Sequence, residues 1–189
     1  MARSYTLKRR AEQQAQTRRR IVEAAVDLHG TVGPARTSLS MVAERAGVQR
    51  NTFYAHFPDE RSLLLACSAH FLERAPPPDA ADWRGLTDRA ERLRTGLRAI
   101  YGWYGRTADV TGCVLRDAEH HAQTRAIADL RLGPTIAGWH EVLGAGLSPA
   151  QGALLHLALA FHSWRALVRE SGLNEAAAAD LMVGAIERA

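Results

Sequence analysis

The sequence is poor in the features that mark cross-linked, membrane or catalytic proteins. Its two cysteines, Cys67 and Cys113, have neither metal nor redox spacing, so we expect small buried thiols in a reducing cytoplasm. No stretch approaches the roughly 18 consecutive apolar residues of a membrane span, and the basic N-terminus lacks the apolar run of a signal peptide. Motifs of serine hydrolases, zinc peptidases, P-loop enzymes and dinucleotide-binding proteins are also missing. We therefore expect no enzyme, no cofactor and no metal site, although a Ser–His pair could still form in space.

Lysine is almost absent, and the positive charge is unevenly distributed. Lys8 is the only lysine in the chain, so nearly every cation is an arginine. Residues 1–61 contain eleven Lys/Arg and six Asp/Glu, whereas residues 62–189 contain thirteen and fourteen. A compositional bias explains arginine over lysine but not this asymmetry. A basic N-terminal third beside a nearly neutral remainder fits a phosphate-binding head on a separate body.

The pattern of residues 38–48 predicts a short helix followed by a tight turn. Apolar residues recur at i, i+3, i+4 and i+7, namely Leu39, Val42, Ala43 and Ala46, which forms one stripe of a helix. Ser38 precedes the stripe in N-cap position. Gly47 follows it, where a chain that leaves a helix needs positive φ. The small Ala43 would allow close approach of a second helix.

That second helix is predicted from Arg50 onward, with one apolar and one polar face. Phe53 and Phe57 lie at i and i+4 on the inner face. The outer face carries hydrogen-bonding side chains: Arg50, Asn51, Thr52, Tyr54 and His56. Two short helices joined by a glycine turn make the helix-turn-helix pattern, and an outward polar row suits the DNA major groove.

These residues carry a resemblance to a known family. The segments that carry it are Thr37–Ser38, Val42–Ala43, Ala46–Gly47–Val48, the run from Thr52 to Phe57, and Leu63–Leu64. Together they resemble the DNA-binding domain of the TetR family of bacterial transcription regulators, over about residues 17–72. The sequence departs from the family where His29 replaces a usual Phe and Gln49 replaces a usual Ser cap.

Spacing and resemblance together suggest a role for each candidate DNA-binding residue. Arg50 and Asn51 start the second helix and would read guanine and adenine edges in bidentate fashion, while Thr52 would touch a base or a thymine methyl. The resemblance implies phosphate contacts for Tyr54 and His56. Two further phosphate candidates lie beside this helix in the sequence: Ser40 and Arg61.

The domain organisation follows from charge and proline. Residues 1–16 read as a basic arm, either reaching DNA or simply solvated. Residues 17–75 form the DNA-binding domain with its connecting helix, and the first helix is expected over residues 17–32. The run Pro76–Pro78 ends this domain. Residues 79–189 are helical in pattern, with helices expected over 82–106, 108–121, 124–143, 149–171 and 174–188 and an interruption near Pro134. The fold class is therefore all-α, with about nine helices.

The second domain is rich in aromatic residues and histidine. A cavity among helices could bind an apolar or aromatic ligand, and the candidates for its lining are Trp103, Tyr104, Trp139, His140, His162 and Trp164. Aromatic residues at helical spacing also serve as ordinary core, and this alternative stays open. The last two helices are apolar on more than one face, which predicts burial by a partner. The resemblance implies that they form the four-helix bundle of a homodimer.

The function predicted on these grounds is a cytoplasmic, sequence-specific DNA-binding regulator. It would be a repressor on an inverted-repeat operator, because two heads related by a two-fold axis read a palindrome. A small-molecule inducer would release it. The alternative is a regulator without a small ligand, acting as an activator or responding to a protein.

Overall fold

The computed structural model describes residues 2–189, with side chains from residue 8 onward. No strand occurs in that range, and the fold is all-α. Its ten α-helices are α1 (Ala2–Thr31), α2 (Leu39–Arg45), α3 (Arg50–His56), α4 (Glu60–Arg74), α5 (Ala81–Arg84), α6 (Arg89–Ala118), α7 (Ala122–Gly144), α8 (Pro149–Leu159), α9 (Phe161–Trp164) and α10 (Glu175–Arg188). A 3-10 turn, Pro34–Arg36, precedes α2, and a π-helical segment, Arg165–Glu170, follows α9. Within the described residues, no helix is long and apolar enough to cross a membrane.

The chain divides into two compact units. The first, which we call the head, comprises Met1–Arg74 and Gly112–Ala128; the second, the body, comprises Ala75–Thr111 and Asp129–Ala189. The head thus includes a stretch, residues 112–128, that the sequence assigned to the second domain. Helices α6 and α7 each contribute residues to both units.

Helix α1 is longer than the sequence indicated. It begins at Ala2, so residues 2–16 are helical and continue into the helix expected from residue 17. The expectation that the first helix begins at residue 17 was wrong. The segment is rich in alanine, arginine and glutamine, all good helix formers that need no apolar stripe to favour a helix. A periodic pattern of apolar residues reveals a helix only where one face of that helix is buried. The side chains of residues 8–16 are exposed, so this part of α1 has no such pattern.

The head is built on one apolar core. Ile21 and Ala25 of α1 are fully buried against Val42 of α2 and the two phenylalanines, Phe53 and Phe57. Leu63, Leu64 and Cys67 of α4 complete the same cluster. The apolar stripe predicted for α2 therefore meets the buried faces of α1 and α4 in one place, which fixes α2 and α3 against the two longer helices.

Two of the helices expected over residues 79–189 merge, and two split. The helix expected over 82–106 is interrupted at residues 85–88, between α5 and α6. Helix α6 runs through residue 107, where the sequence suggested a break; there the buried Thr107 hydroxyl donates to Trp103 O at 2.8 Å, one helical turn earlier. Pro134 lies inside α7 without ending it. Conversely, the helix expected over 149–171 breaks at Ala160, whose ψ of 131° is extended.

Tyrosine hydroxyls from α6 satisfy the carbonyls that this break leaves free. Tyr101 donates to Ala158 O at 3.0 Å, and Tyr104 donates to Leu159 O at 2.7 Å. Burial raises the pKa of both phenols, with the neighbouring Tyr101 adding to the effect at Tyr104, so both remain donors at neutral pH. The break between α8 and α9 is thus stabilised by hydrogen bonds from the side chains of α6.

Candidate nucleic-acid interface

Helix α2 and the following turn are fixed by their own backbone. The Ser38 hydroxyl accepts the Met41 N–H at 3.2 Å, which confirms the predicted N-cap. Gly47 has φ of 63°, and its N–H donates to Glu44 O at 3.0 Å. Val48 N–H donates to Ala43 O at 3.0 Å, which closes the turn. The chain therefore leaves α2 in one defined direction and enters α3 after four residues.

Helix α3 is anchored by its two phenylalanines. Phe53 and Phe57 are buried, with ring centroids 6.0 Å apart. Tyr54 packs edge-on against Phe53 with centroids 5.7 Å apart, yet 41% of the residue stays exposed. Gln49 occupies the N-cap without a side-chain hydrogen bond, as expected for a weak cap. Packing holds this helix more than its own termini do.

The candidate DNA-binding residues all lie on the surface of the head. Six of them are exposed: Ser40, Arg50, Asn51, Thr52, Tyr54 and Arg61. His56 is half-buried at the end of α3. Because Phe53 faces the core, the residues one position before and after it and those near the start of α3 point away from it. The outward polar row is thus present on the helix, while contact of each side chain with DNA stays a prediction.

Several other arginines shape the charge of the head. The Arg18 guanidinium lies over the Phe57 ring, 4.8 Å from its centroid. Arg45 pairs with Asp27 of α1, and Arg19 pairs with Glu23 at 2.9 Å. A helix that began at residue 17, as expected, would carry residues 18–20 in its first turn, where cations oppose the helix dipole. Because α1 begins at Ala2, these arginines lie in mid-helix instead.

His29 is a buried histidine of the head core. It is 5% exposed, and its Nδ1 lies 3.4 Å from Cys67 Sγ. Burial lowers the pKa of His29 to about 4, against the opposing charge of Asp117. The imidazole is therefore neutral at physiological pH, which agrees with the interpretation of a core histidine in place of the usual Phe.

The residues expected to line a ligand cavity fall into two groups. Four of them lie in the body core: Trp103, Tyr104, Trp139 and Trp164. Their rings contact one another at centroid distances of 5.4 to 6.0 Å. Phe161 joins the same cluster, 5.3 Å from Tyr104 and 5.2 Å from Trp164. Phe161 is not among the predicted ligand residues, and it starts α9 directly after the break at Ala160.

The two histidines lie outside this aromatic cluster. His140 is half-buried and stacks on His156 of α8, with ring centroids 5.3 Å apart. Burial and the neighbouring His156 lower the pKa of His140. His162 is exposed, and its ring lies edge-on to Phe161 at 5.9 Å. His162 thus contacts the cluster through Phe161, and His140 contacts His156 instead. Which of the six residues line a ligand site stays a prediction.

Polar atoms of the aromatic cluster are satisfied in all but one case. The indole N–H of Trp103 donates to Ala75 O at 3.0 Å, and that of Trp139 donates to Pro78 O at 2.9 Å. The indole N–H of Trp164 is buried and has no hydrogen-bond partner among the described residues. A separate open pocket of about 270 Å³ lies in the body, lined by Pro77, Pro78, Asp79, Ala80, Pro134, Thr135 and Gly138. Its lining contains none of the predicted ligand residues.

The fold and the anchored polar helix define an all-helical protein with a helix-turn-helix head. Residues 21–67 match the sequence profile described as bacterial regulatory proteins, tetR family. An uncharacterized HTH-type transcriptional regulator of Mycobacterium tuberculosis is 36% identical over 87 residues, which cover 42% of this chain and 46% of that protein. The chain thus spans about half the length of the curated relatives it matches. The match thus assigns residues 21–67, which include α2, α3 and the first part of α4, to the DNA-binding region of tetR-family regulators.

Solved structures share the fold over most of the chain. A TetR-like transcriptional regulator from Rhodococcus sp. RHA1 aligns with a TM-score of 0.65 at 22% identity, covering 91% of this chain and 94% of that one. The multidrug binding protein EbrR, solved in complex with imidazole, aligns with a TM-score of 0.56 at 22% identity, covering 88% and 93%. Both likenesses concern the fold alone.

Proposed function

We propose that this chain is a sequence-specific DNA-binding transcription regulator, a repressor that a small apolar or aromatic ligand releases from an inverted-repeat operator. The observation that carries the DNA-binding part is the exposed polar row of α3, on a helix fixed by the buried Phe53 and Phe57. A rigid helix with exposed Arg50 and Asn51 at its start has the form that reads a major groove. We expect the regulator to act in the cytoplasm, where bacterial DNA lies.

In this proposal the residues divide into base readers and phosphate contacts. Arg50, Asn51 and Thr52 read bases, which supplies specificity. The remaining four position the head by binding phosphates: Ser40, Tyr54, His56 and Arg61. The surplus of arginine in residues 1–61 supplies attraction that does not depend on sequence, so affinity should fall steeply with salt.

A homodimer would place two heads on the two half-sites of a palindrome. Its support here is the exposed apolar surface of α8 and α10, where Leu157 is 52% and Leu181 is 48% exposed. Ala153 and Ala177, each one helical turn earlier, are exposed as well. These two packed helices thus offer leucine and small residues to a second copy. Sedimentation should give a dimer at micromolar concentration, and Leu157→Glu with Leu181→Glu should shift it to monomer; a monomeric wild type would refute the dimer.

The ligand part is supported by the composition of the body core and by the likeness to EbrR. To act as an inducer, the ligand must bind the DNA-incompetent state more tightly. A preference of about 100-fold corresponds to about 2.7 kcal/mol of coupling. The alternative is a DNA-binding regulator without a small ligand, acting as an activator or controlled by a protein. A screen of apolar and aromatic compounds separates the two, because only an inducer raises the melting temperature and also releases bound DNA.

The central experiment selects binding sites from a random duplex pool and measures affinity by fluorescence anisotropy. The wild type should enrich an inverted repeat. Tyr54→Ala should lose most of the affinity while its circular dichroism stays helical. Glu73→Ala, at an exposed position near the end of α4, is the control and should bind normally. Failure of the wild type to enrich any sequence, or full binding by Tyr54→Ala, would refute the proposed function.

A further inference from the structure

The last turn of α6 contacts the turn that leads into α2. Asp117 is only 3% exposed. One of its carboxylate oxygens, Oδ2, accepts the backbone N–H of Ala35 at 2.9 Å, and the other, Oδ1, accepts Nε of Arg116 at 2.8 Å. Arg116 also donates from Nη2 to Val32 O at 3.0 Å. Asp117 and Arg116 therefore hydrogen-bond to the backbone on both sides of Gly33. All of these residues belong to the head.

Local physics alone would not place a carboxylate here. An acidic side chain in the last turn of a helix opposes the helix dipole, and burying it costs free energy unless it is paired and hydrogen-bonded. Burial acts to raise the pKa of Asp117, but the hydrogen bonds from Arg116 and Ala35 and the charges of Arg116 and Arg36 outweigh it, so the pKa lies below its usual value. The pairing with the turn offsets both costs.

Gly33 shows how closely the turn approaches these side chains. Its φ is 99°, a region that side-chain-bearing residues rarely adopt. A Cβ at this position would collide with the Arg116 guanidinium and with the Asp117 carboxylate. The glycine is thus required both by backbone conformation and by the space that Arg116 and Asp117 occupy.

The turn passes this constraint on to α2. The Thr37 hydroxyl donates to Gly33 O at 2.7 Å, and Thr37 N–H donates to Pro34 O at 3.2 Å. The next residue, Ser38, is the N-cap of α2. The bond from Asp117 to Ala35 and the two bonds from Thr37 back to Gly33 and Pro34 therefore hold the short segment that ends at the N-cap of α2.

We propose that Asp117 is a positioning residue for DNA binding, which holds the turn of residues 33–37 and thereby the start of α2 in the orientation that the groove requires. The inference rests on the proposed DNA-binding function. Asp117 itself touches no phosphate in this proposal; it raises the fraction of molecules whose head is competent to bind. Apparent affinity scales with that fraction.

The test is Asp117→Ala, measured against the selected operator at several salt concentrations. We expect operator affinity to fall by about tenfold. Loss of a negative charge would by itself strengthen attraction to DNA, so the expected sign is opposite to the charge effect. The slope of log K against log salt should stay unchanged, because no phosphate contact is removed. Asp117→Asn keeps one acceptor oxygen and should recover most of the affinity.

The control is Asp109→Ala, an exposed aspartate on the same helix with the same charge change, which should bind as well as the wild type or slightly better. Amide hydrogen exchange at Ala35 should accelerate at least tenfold in Asp117→Ala, while the amide of Leu97 in the body core keeps its rate. Equal acceleration at both amides would mean general destabilisation and would overturn the inference.

Gly33→Ala provides a second route if Asp117→Ala does not fold. The added methyl group would displace the side chains of Arg116 and Asp117 from the turn. We therefore expect the same loss of operator affinity and the same faster amide exchange at Ala35. If Asp117→Ala, or Gly33→Ala in its place, folds and binds the operator normally, this inference is overturned and the proposed function stands. Failure of the wild type to bind any duplex would overturn the proposed function, and this inference with it.

Discussion

The short helix α3 directs its polar side chains outward, whereas the aromatic residues of the body direct theirs inward. In the head, Phe53 and Phe57 carry the packing, and the residues between and before them are free to contact a partner. In the body, Trp103 and Trp164 are buried and form part of the core, and the indole N–H of Trp103 donates to the backbone carbonyl of Ala75. An aromatic residue can therefore serve recognition or stability. An exposed aromatic side chain beside a buried one, such as Tyr54 beside Phe53, is available for recognition, whereas a fully buried one serves stability.

The largest expected effect tests the body side of this comparison. Trp103→Ala removes a fully packed indole and strips Ala75 O of its donor, so the free energy of unfolding should fall by about 3–5 kcal/mol. Tyr54→Ala in the head should cost about 1 kcal/mol or less, because the residue is largely exposed. Urea denaturation measures both. Equal costs would contradict the division into packing and recognition.

A second prediction concerns pH and the buried His29. Its folded pKa of about 4 lies below the unfolded value of 6.5, so the unfolded chain gains a proton first as pH falls. Stability should be constant above about pH 7, fall by about 3 kcal/mol between pH 6.5 and 4, and level off below that. His29→Phe should flatten this decline, and the difference between the two curves isolates His29 from His140. A decline of the same size in both proteins would exclude His29 as its source.

A third prediction separates base reading from phosphate binding within the head. Arg50→Ala should weaken operator binding by about 1–3 kcal/mol and relax specificity at one base pair. Arg61→Ala should weaken operator and random DNA alike and reduce the salt slope by about 1. Arg74→Ala, an exposed position at the end of α4, makes the same charge change as a control. Identical sequence preferences in Arg50→Ala and the wild type would assign Arg50 to the phosphates.

The smallest expected effect concerns the ends of the two short helices. Ser38 caps α2 with its side chain, whereas Gln49 makes no such bond at α3. Gln49→Ser should therefore raise the free energy of unfolding by about 0.5–1 kcal/mol, measured by thermal unfolding. Ser38→Ala should lower it by a similar amount. No gain at Gln49 would show that Phe53 and Phe57 already hold α3 as firmly as a cap would.

The elements that sequence reasoning predicts well are those whose signals are local. The stripe of α2, its cap at Ser38 and the turn at Gly47 form within a dozen residues, and the structure confirms each. The capping box of Ser148 and Gln151 at α8 is local too, and both of its hydrogen bonds are present. The outward face of α3 follows from the positions of Phe53 and Phe57 alone. Four of the five side chains of this face are exposed and His56 is half-buried, while their contacts with DNA stay predictions.

The elements that sequence reasoning misses depend on distant partners. No glycine or proline lies at the break at Ala160, so the local sequence does not indicate it. The carbonyls that the break leaves free accept hydrogen bonds from tyrosines more than 50 positions earlier in the chain. The Asp117–Ala35 bond joins residues 82 positions apart. Pro134 suggested an interruption, yet α7 continues through it. Which aromatic residues line a ligand site likewise depends on packing that no single helix encodes.

The paired tyrosines of α6 also restrict how that helix can move. Tyr101 and Tyr104 lie three residues apart, and their hydroxyls hold successive carbonyls, those of Ala158 and Leu159. A rotation of α6 about its own axis would break both bonds together and leave two buried acceptors without water. The two hydrogen bonds together therefore oppose rotation of α6 about its own axis. Any rearrangement of the body that keeps these bonds must carry α6 and the corner at residues 158–161 as one piece.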